Sequence, residues 1–236
     1  MSLTKKLLPL AVSAAIAVPM MFGATTASAD VSATLGANSM YLWRGLNLTP
    51  DGPQVHGSLD YSMGGFYAGA WMTNETSGSE TDLYFGFGGE VGKFGYDISY
   101  WKYLYPEERD EDSVRIDLGD SDYSELVISG SFGPVTAAAY IGVEDSDDPI
   151  YYTIGVDVDK FNVTYGFWDI DGGSVDTEEA EEGTDEYSHL TGTYAFNDNI
   201  NFGVSFAFSD LSDDDPAGVE EDPLFFVGYS KSFDLK

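Results

Sequence analysis

The chain has 236 residues, no cysteine, 41 acidic and 10 basic side chains, and a formal net charge of −31. Without cysteine no disulfide can staple an exported fold. Charge of this sign and size argues against nucleic acid and anionic lipid surfaces as partners, and suits cations, cationic solutes or a saline habitat.

The N-terminus reads as a processing signal. Lys5 and Lys6 form a positive n-region, Leu7 to Phe22 an apolar stretch, and Ala27-Ser28-Ala29 an A-x-A cleavage site. Residues 1–29 are expected to be removed, leaving 30–236 as one domain that starts at Asp30, with no cysteine for lipidation. No later segment reaches the ~20 apolar residues of a membrane helix, so the mature chain is either soluble or crosses a membrane as strands.

From Val31 onward, apolar and small polar residues alternate in short segments. Phe161, Val163, Tyr165 and Phe167, with Asn162, Thr164 and Gly166 between them, have the period of a strand with one oily face. Alternation predicts about twelve strands. They are Val31–Trp43, Val55–Ser62, Phe66–Thr73, Leu83–Val91, Phe94–Leu104 and Tyr123–Phe132, then Val135–Val143, Ile150–Val158, Phe161–Trp168, Tyr187–Phe196, Ile200–Phe208 and Leu224–Phe233. Tight turns such as Gly64-Gly65, Gly92-Lys93, Gly133-Pro134, Asp159-Lys160 and Asn197-Asp198-Asn199 alternate with long connections. The long ones are Arg44–Gln54, Asn74–Asp82, Tyr105–Asp122, Glu144–Pro149, Asp169–Glu186 and Asp210–Pro223. An antiparallel meander puts all short turns at one rim and all long loops at the other. That layout predicts an all-β, transmembrane, up-and-down barrel with short periplasmic turns and long acidic extracellular loops.

Charge follows the same division. The four later long connections hold 8, 4, 9 and 7 acids, and with Asp51, Glu75, Glu80 and Asp82 they place 32 of the 41 acids at the long-loop rim. Parity assigns the faces. Leu35, Phe85, Ile98, Ile154, Val156 and Val204 are expected to meet lipid, whereas a charge at mid-membrane costs a few kcal/mol, so Asp60, Glu90, Asp97 and Asp157 are expected to point inward. Aromatic residues near strand ends (Tyr41, Trp43, Tyr61, Phe66, Phe132, Phe161, Phe167, Phe196 and Phe208) suit interfacial girdles. Inward glycines such as Gly86, Gly166 and Gly203 favour open space, and inward Tyr84, Trp101, Tyr140, Tyr151 and Trp168 narrow it. Phe225, Val227, Tyr229 and Phe233 keep the spacing of a terminal strand read by outer-membrane insertion machinery, with Lys231 in place of an apolar residue.

Three longer blocks carry a resemblance: Tyr41-Leu42-Trp43-Arg44-Gly45-Leu46, Gln54-Val55-His56-Gly57-Ser58-Leu59-Asp60-Tyr61 and Gly65-Phe66-Tyr67-Ala68-Gly69-Ala70-Trp71. With Tyr103-Leu104-Tyr105-Pro106 and Asp122-Tyr123-Ser124-Glu125-Leu126, they resemble the TorF-type family of porin-like proteins, also known under the Gcw-chp label. The resemblance implies an exported outer-membrane barrel with an inferred pore role, and brings no catalytic residue and no established substrate. The acid content of the later loops departs from that family.

Chemistry is sparse. His56 and His189 stand near Ser58 and Ser188 without a nucleophile motif, so hydrogen bonding is expected of them and catalysis is not. Asp169, Asp171 and Asp176 lie in a stretch that looks like a calcium loop but misses its spacing, since Gly173 stands where a ligand is needed. They are candidates only for weak divalent-cation binding, and no metal site or cofactor is expected. Arg44, on the inward parity, either belongs to a constriction or anchors its loop on a carboxylate such as Asp60. The expected function is a non-enzymatic outer-membrane channel for small solutes, cation-preferring, with Arg44, Asp60, Glu90, Asp97 and Asp157 lining the pore. The alternative is a filled-lumen barrel serving as a surface scaffold or cation collector. Expected partners are outer-membrane lipid and lipopolysaccharide, the insertion machinery, and small solutes or cations.

Overall fold

A sheet made of strands with one apolar and one polar face can hide its edges only by closing on itself, and this chain does so. The computed structural model describes residues 29–76, 78–105, 123–143, 150–169, 187–209 and 222–235, apart from the side chains of Asp169 and Ser209. The strands are β1 (Asp30–Asn38), β2 (Leu42–Trp43), β3 (Leu46–Asn47), β4 (Gln54–Met63), β5 (Phe66–Glu75), β6 (Gly78–Val91) and β7 (Phe94–Leu104). They continue as β8 (Tyr123–Phe132), β9 (Val135–Gly142), β10 (Ile150–Val158), β11 (Phe161–Asp169), β12 (Tyr187–Ala195), β13 (Ile200–Ser209) and β14 (Leu224–Leu235). Twelve of them form a closed antiparallel barrel in chain order, while β2 and β3 pair only with each other. Closure is made by β1, which pairs with β4 (Leu35 opposite Gly57) and with β14 (Leu35 opposite Lys231).

The faces follow the parity read from the sequence. Leu35 is 63% exposed and Phe225 72%, with Phe85, Ile98 and Ile154 exposed beside them, whereas inward Trp101 is 2% and Tyr151 0% exposed. An apolar skin that runs right round a molecule cannot face water; it is the outer surface of a membrane barrel, where lipid replaces the core of a soluble protein. The tight turns lie where expected. Gly64 and Gly65, at φ 59° and 90°, join β4 to β5 in the mirror-image turn that matches strand twist, and Asp159 takes φ 55° between β10 and β11.

Four expectations are corrected. The first strand ends at Asn38 and not Trp43, because the chain leaves the wall at Ser39 and turns inward. Tyr41 and Trp43 are therefore not girdle residues: Tyr41 is buried and Trp43 packs inside the barrel. The connection Asn74–Asp82 is not long, since β5 and β6 pair out to Glu75 opposite Gly78. Glu80 and Asp82 thus belong to the wall and not to a rim loop; an inward face tolerates polar residues, so a Ser-Glu-Thr-Asp run reads as loop although it is strand. Lastly, the inward glycines do not leave open space. The room above Gly86 is taken by Tyr67, above Gly166 by His189 and Tyr151, and above Gly203 by Phe226. The signal segment within 1–28 and the acidic stretches 106–122, 144–149, 170–186 and 210–221 lie outside the described residues.

Lysine substitutions test the faces. Phe85→Lys and Ile154→Lys, on lipid, are expected to cost about 2–4 kcal/mol near the midplane and to reduce the folded fraction, read as the fast-migrating band on unheated gels. Thr34→Lys and Thr153→Lys, facing inward, should assemble at close to wild-type yield.

Candidate functional site: an arginine-tipped hairpin inside the barrel

After Ser39, whose amide donates to the Val227 carbonyl at 2.9 Å, the chain has little to keep it in the wall. Met40-Tyr41-Leu42-Trp43 is an unbroken apolar run that buries itself inward. Leu42 packs on Leu224 and Phe226, and Trp43 and Leu46 pack against the Tyr151, Trp168 and Tyr187 cluster. Leu42 pairs with Asn47 and Trp43 with Leu46, so Arg44 and Gly45 form a two-residue turn. Both have positive φ, 49° and 89°. Glycine adopts this freely; arginine does so at a cost in backbone strain. The base of the hairpin is pinned by Tyr41 N–H to Thr49 Oγ1 at 2.7 Å, Leu48 N–H to the Tyr41 carbonyl at 2.8 Å, and Thr76 Oγ1 to the Leu48 carbonyl at 2.7 Å.

The tip crosses the lumen. In the ring of twelve, β9 and β10 stand opposite β1 and β4, from which the hairpin springs. Arg44 ends buried against that far wall, where Nη2 donates to both carboxylate oxygens of Glu125 on β8, each at 2.6 Å. Its guanidinium carbon lies 4.5 to 4.8 Å from four ring centroids: Trp43 on the hairpin, Tyr140 on β9, Tyr151 on β10 and Trp168 on β11. A desolvated cation among aromatic faces is stabilised by each of them. Glu125 also accepts from Tyr103 Oη and Tyr123 Oη, both at 2.8 Å. Tyr151 shares a 2.6 Å hydrogen bond with His189 Nε2, whose Nδ1 meets Thr191 Oγ1 at 2.9 Å, and Thr191 meets Ser205 at 2.7 Å. His189 thus fixes a ring of the cage, and its hydroxyl partners are Tyr151 and Thr191, not Ser188.

The remaining predicted residues are spread along the wall. Asp60 accepts from Tyr84 Oη and from Ser58 Oγ at 2.7 Å, and is not the partner of Arg44. Asp97, buried, accepts from Tyr67 Oη at 2.9 Å. Asp157 accepts from Asn162 Nδ2 at 3.0 Å, and like Glu90 it is exposed, near the short-turn rim. Asp171 and Asp176 lie outside the described residues, as does the Asp169 side chain, and among the described residues no group of three or more ligating side chains is placed to hold a metal.

Sequence reasoning missed Glu125, Glu80 and Asp82. All three are essentially inaccessible to solvent, and Glu80 and Asp82, two residues apart on one face of β6, lie against each other. A signal for Glu125 was present: it shares parity with Val127 and Ser129, opposite the lipid-facing Ile128. The interior therefore holds Asp60, Glu80, Asp82, Asp97 and Glu125. Against them stands Arg44, the one base that the described residues place there, since Lys93 and Lys160 sit in turns and Lys102 and Lys231 take the outward parity.

Fold and site together define a transmembrane β-barrel with an inward-folded, arginine-tipped hairpin. The chain belongs to a bacterial family described as being of unknown function, Gcw_chp, whose model matches residues 23–210. No curated protein matches the sequence. Among solved structures it is similar to OmpF of Salmonella typhi in complex with daunomycin, at 11% identity and a TM-score of 0.40, over 87% of this chain and 97% of that one. Outer membrane phospholipase A from Escherichia coli is matched at 12% identity and a TM-score of 0.37, over 88% and 90%. A further porin is matched at 14% and 0.35, over 77% of this chain; the chain spans only 62% of that porin. At these values nothing about solute or activity passes from them to this protein.

Removing one partner of a buried pair leaves the other charge uncompensated, so Arg44→Ala should destabilise the barrel by ~3–5 kcal/mol. The double variant Arg44→Met with Glu125→Gln should recover much of that loss. Urea unfolding in lipid vesicles measures both.

Proposed function

We propose that the protein is a porin-like channel of the outer membrane that passes small solutes and prefers cations. The observation that carries this reading is the sign of the interior: Asp60, Asp97 and Glu125, each hydrogen-bonded by a phenol, face one arginine inside a closed barrel. Low-dielectric walls focus such a field, which concentrates cations and repels anions. The export signal expected at residues 1–29 and the apolar outer skin support placement in an outer membrane, among its lipid and lipopolysaccharide and by way of its insertion machinery. Catalysis has no part in the reading.

Two predictions test it. Reversal potentials across a salt gradient in planar bilayers should show cation preference that weakens toward molar salt, as the Debye length falls to about 3 Å. Asp60→Asn with Asp97→Asn should reduce the preference without closing the pore, since the amides keep hydrogen-bonding capacity for Tyr84 and Tyr67. An anion-selective pore would refute the electrostatic argument, and no conductance under any condition would move the weight to a filled-lumen surface scaffold.

A further inference from the structure

The far wall of the barrel is a guanidinium site, and the chain fills it with its own side chain. We propose that Arg44 is a tethered stand-in for a small guanidinium-bearing solute, which takes its place on Glu125 and releases the β2–β3 hairpin from the lumen. The inference rests on the channel reading for the solute's route and for the consequence of release.

The site is built by the wall and not by the hairpin. Besides Arg44, Glu125 accepts from two wall residues, Tyr103 and Tyr123, at 2.8 Å each. Tyr140, Tyr151 and Trp168 come from three successive strands, and Tyr151 is braced from behind by His189. Of the groups around the cation, only Trp43 leaves with the hairpin. The chemistry selects among cations. Flat rings on several sides favour a planar, weakly hydrated ion over a compact ammonium such as lysine's. The carboxylate, which takes two hydrogen bonds from one Nη2, requires N–H donors and so disfavours quaternary ammonium ions.

The occupant fits less well than its cage. Arg44 carries a φ of 49°, and its Nη1 is buried with no hydrogen-bond partner. Strain and an unmet donor thus sit on the residue that plugs the site, and backbone strain of this kind clusters at ligand clamps and switch regions. A free guanidinium ion has neither the strained backbone nor the tether. It replaces like with like at Glu125, so no buried charge is uncovered during the exchange. The occupied fraction then sets apparent affinity: while Arg44 is docked, an outside ligand binds more weakly by the fraction of time the hairpin is away.

The test uses the full chain in lipid vesicles, titrated calorimetrically with methylguanidinium chloride at fixed ionic strength, with tetramethylammonium and sodium chloride as comparators. Arg44→Ala should bind methylguanidinium at least tenfold more tightly than wild type, because the competitor is gone. Gly45→Ala keeps Arg44 but weakens docking, since a Cβ there would stand 2.7 Å from His189 carbons and at φ 89°; it too should bind more tightly than wild type. Glu125→Gln in either background should abolish binding. Methylguanidinium should also restore urea resistance to Arg44→Ala. If Arg44→Ala does not assemble, Gly45→Ala decides. A folded variant that binds no more tightly than wild type, or that binds tetramethylammonium or sodium equally well, overturns the proposal. Binding as expected with no conductance in any variant supports the site and refutes the channel reading, so the two fail separately. If both hold, methylguanidinium should lengthen the open time of the wild-type channel and have no effect on Gly45→Ala with Glu125→Gln.

Discussion

Closure of the sheet is the constraint from which the other features descend. In hydrocarbon an unpaired amide costs several kcal/mol, so the strands must form a ring without an edge, and β1 completes it by pairing with both β4 and β14. Lipid then dictates the outward face. Most polar side chains of the wall are sent inward, where a ring of twelve encloses more room than the small barrels that side chains fill, and less than the open sixteen-stranded pores. Here the room is taken by rings lying over glycines, as Tyr67 lies over Gly86, and by a hairpin that is not part of the wall. An arginine is tolerated at its tip because a carboxylate and four aromatic faces meet it.

How much of this could be read in advance depended on whether a residue's role was local. Strands flanked by tight turns were legible to the residue, as at Phe94–Leu104, Tyr123–Phe132 and Ile150–Val158, since lipid enforces strict alternation and the turns demand glycine, asparagine or aspartate. Legibility failed where both faces are polar: Ser79, Glu80, Thr81 and Asp82 carry no alternation, although the backbone there is fully paired with β5. It failed again at Tyr41 and Trp43, where counting parity past Ser39 assumes a straight strand that the chain does not make.

The site was half visible. Arg44 stood out as a base at a strand end, but its carboxylate lies 81 residues away along the chain. Only the register of the ring decides that β8 and not β4 receives the tip. Inward glycines misled for a related reason. A missing side chain looks like empty space in one strand, whereas in a barrel it is where the neighbouring strand's ring lies down, as Tyr84 does over Gly69 and Phe226 over Gly203.

The means by which the carboxylates are satisfied connects architecture to electrostatics. A buried carboxylate needs donors, and lysine or arginine would supply them while cancelling its charge. This interior relies on phenols, Tyr84 on Asp60 and Tyr67 on Asp97, and adds Tyr103 and Tyr123 to Arg44 on Glu125. Each phenol meets a lone pair and adds no positive charge, so Asp60 and Asp97 are hydrogen-bonded without a cation beside them. With 16 tyrosines against 10 lysines and arginines in the whole chain, the composition itself favours this solution. The single guanidinium that the described residues place in the lumen sits on β2–β3, which is not part of the barrel wall. The positive charge of the lumen is thus carried on a hairpin and not on the wall.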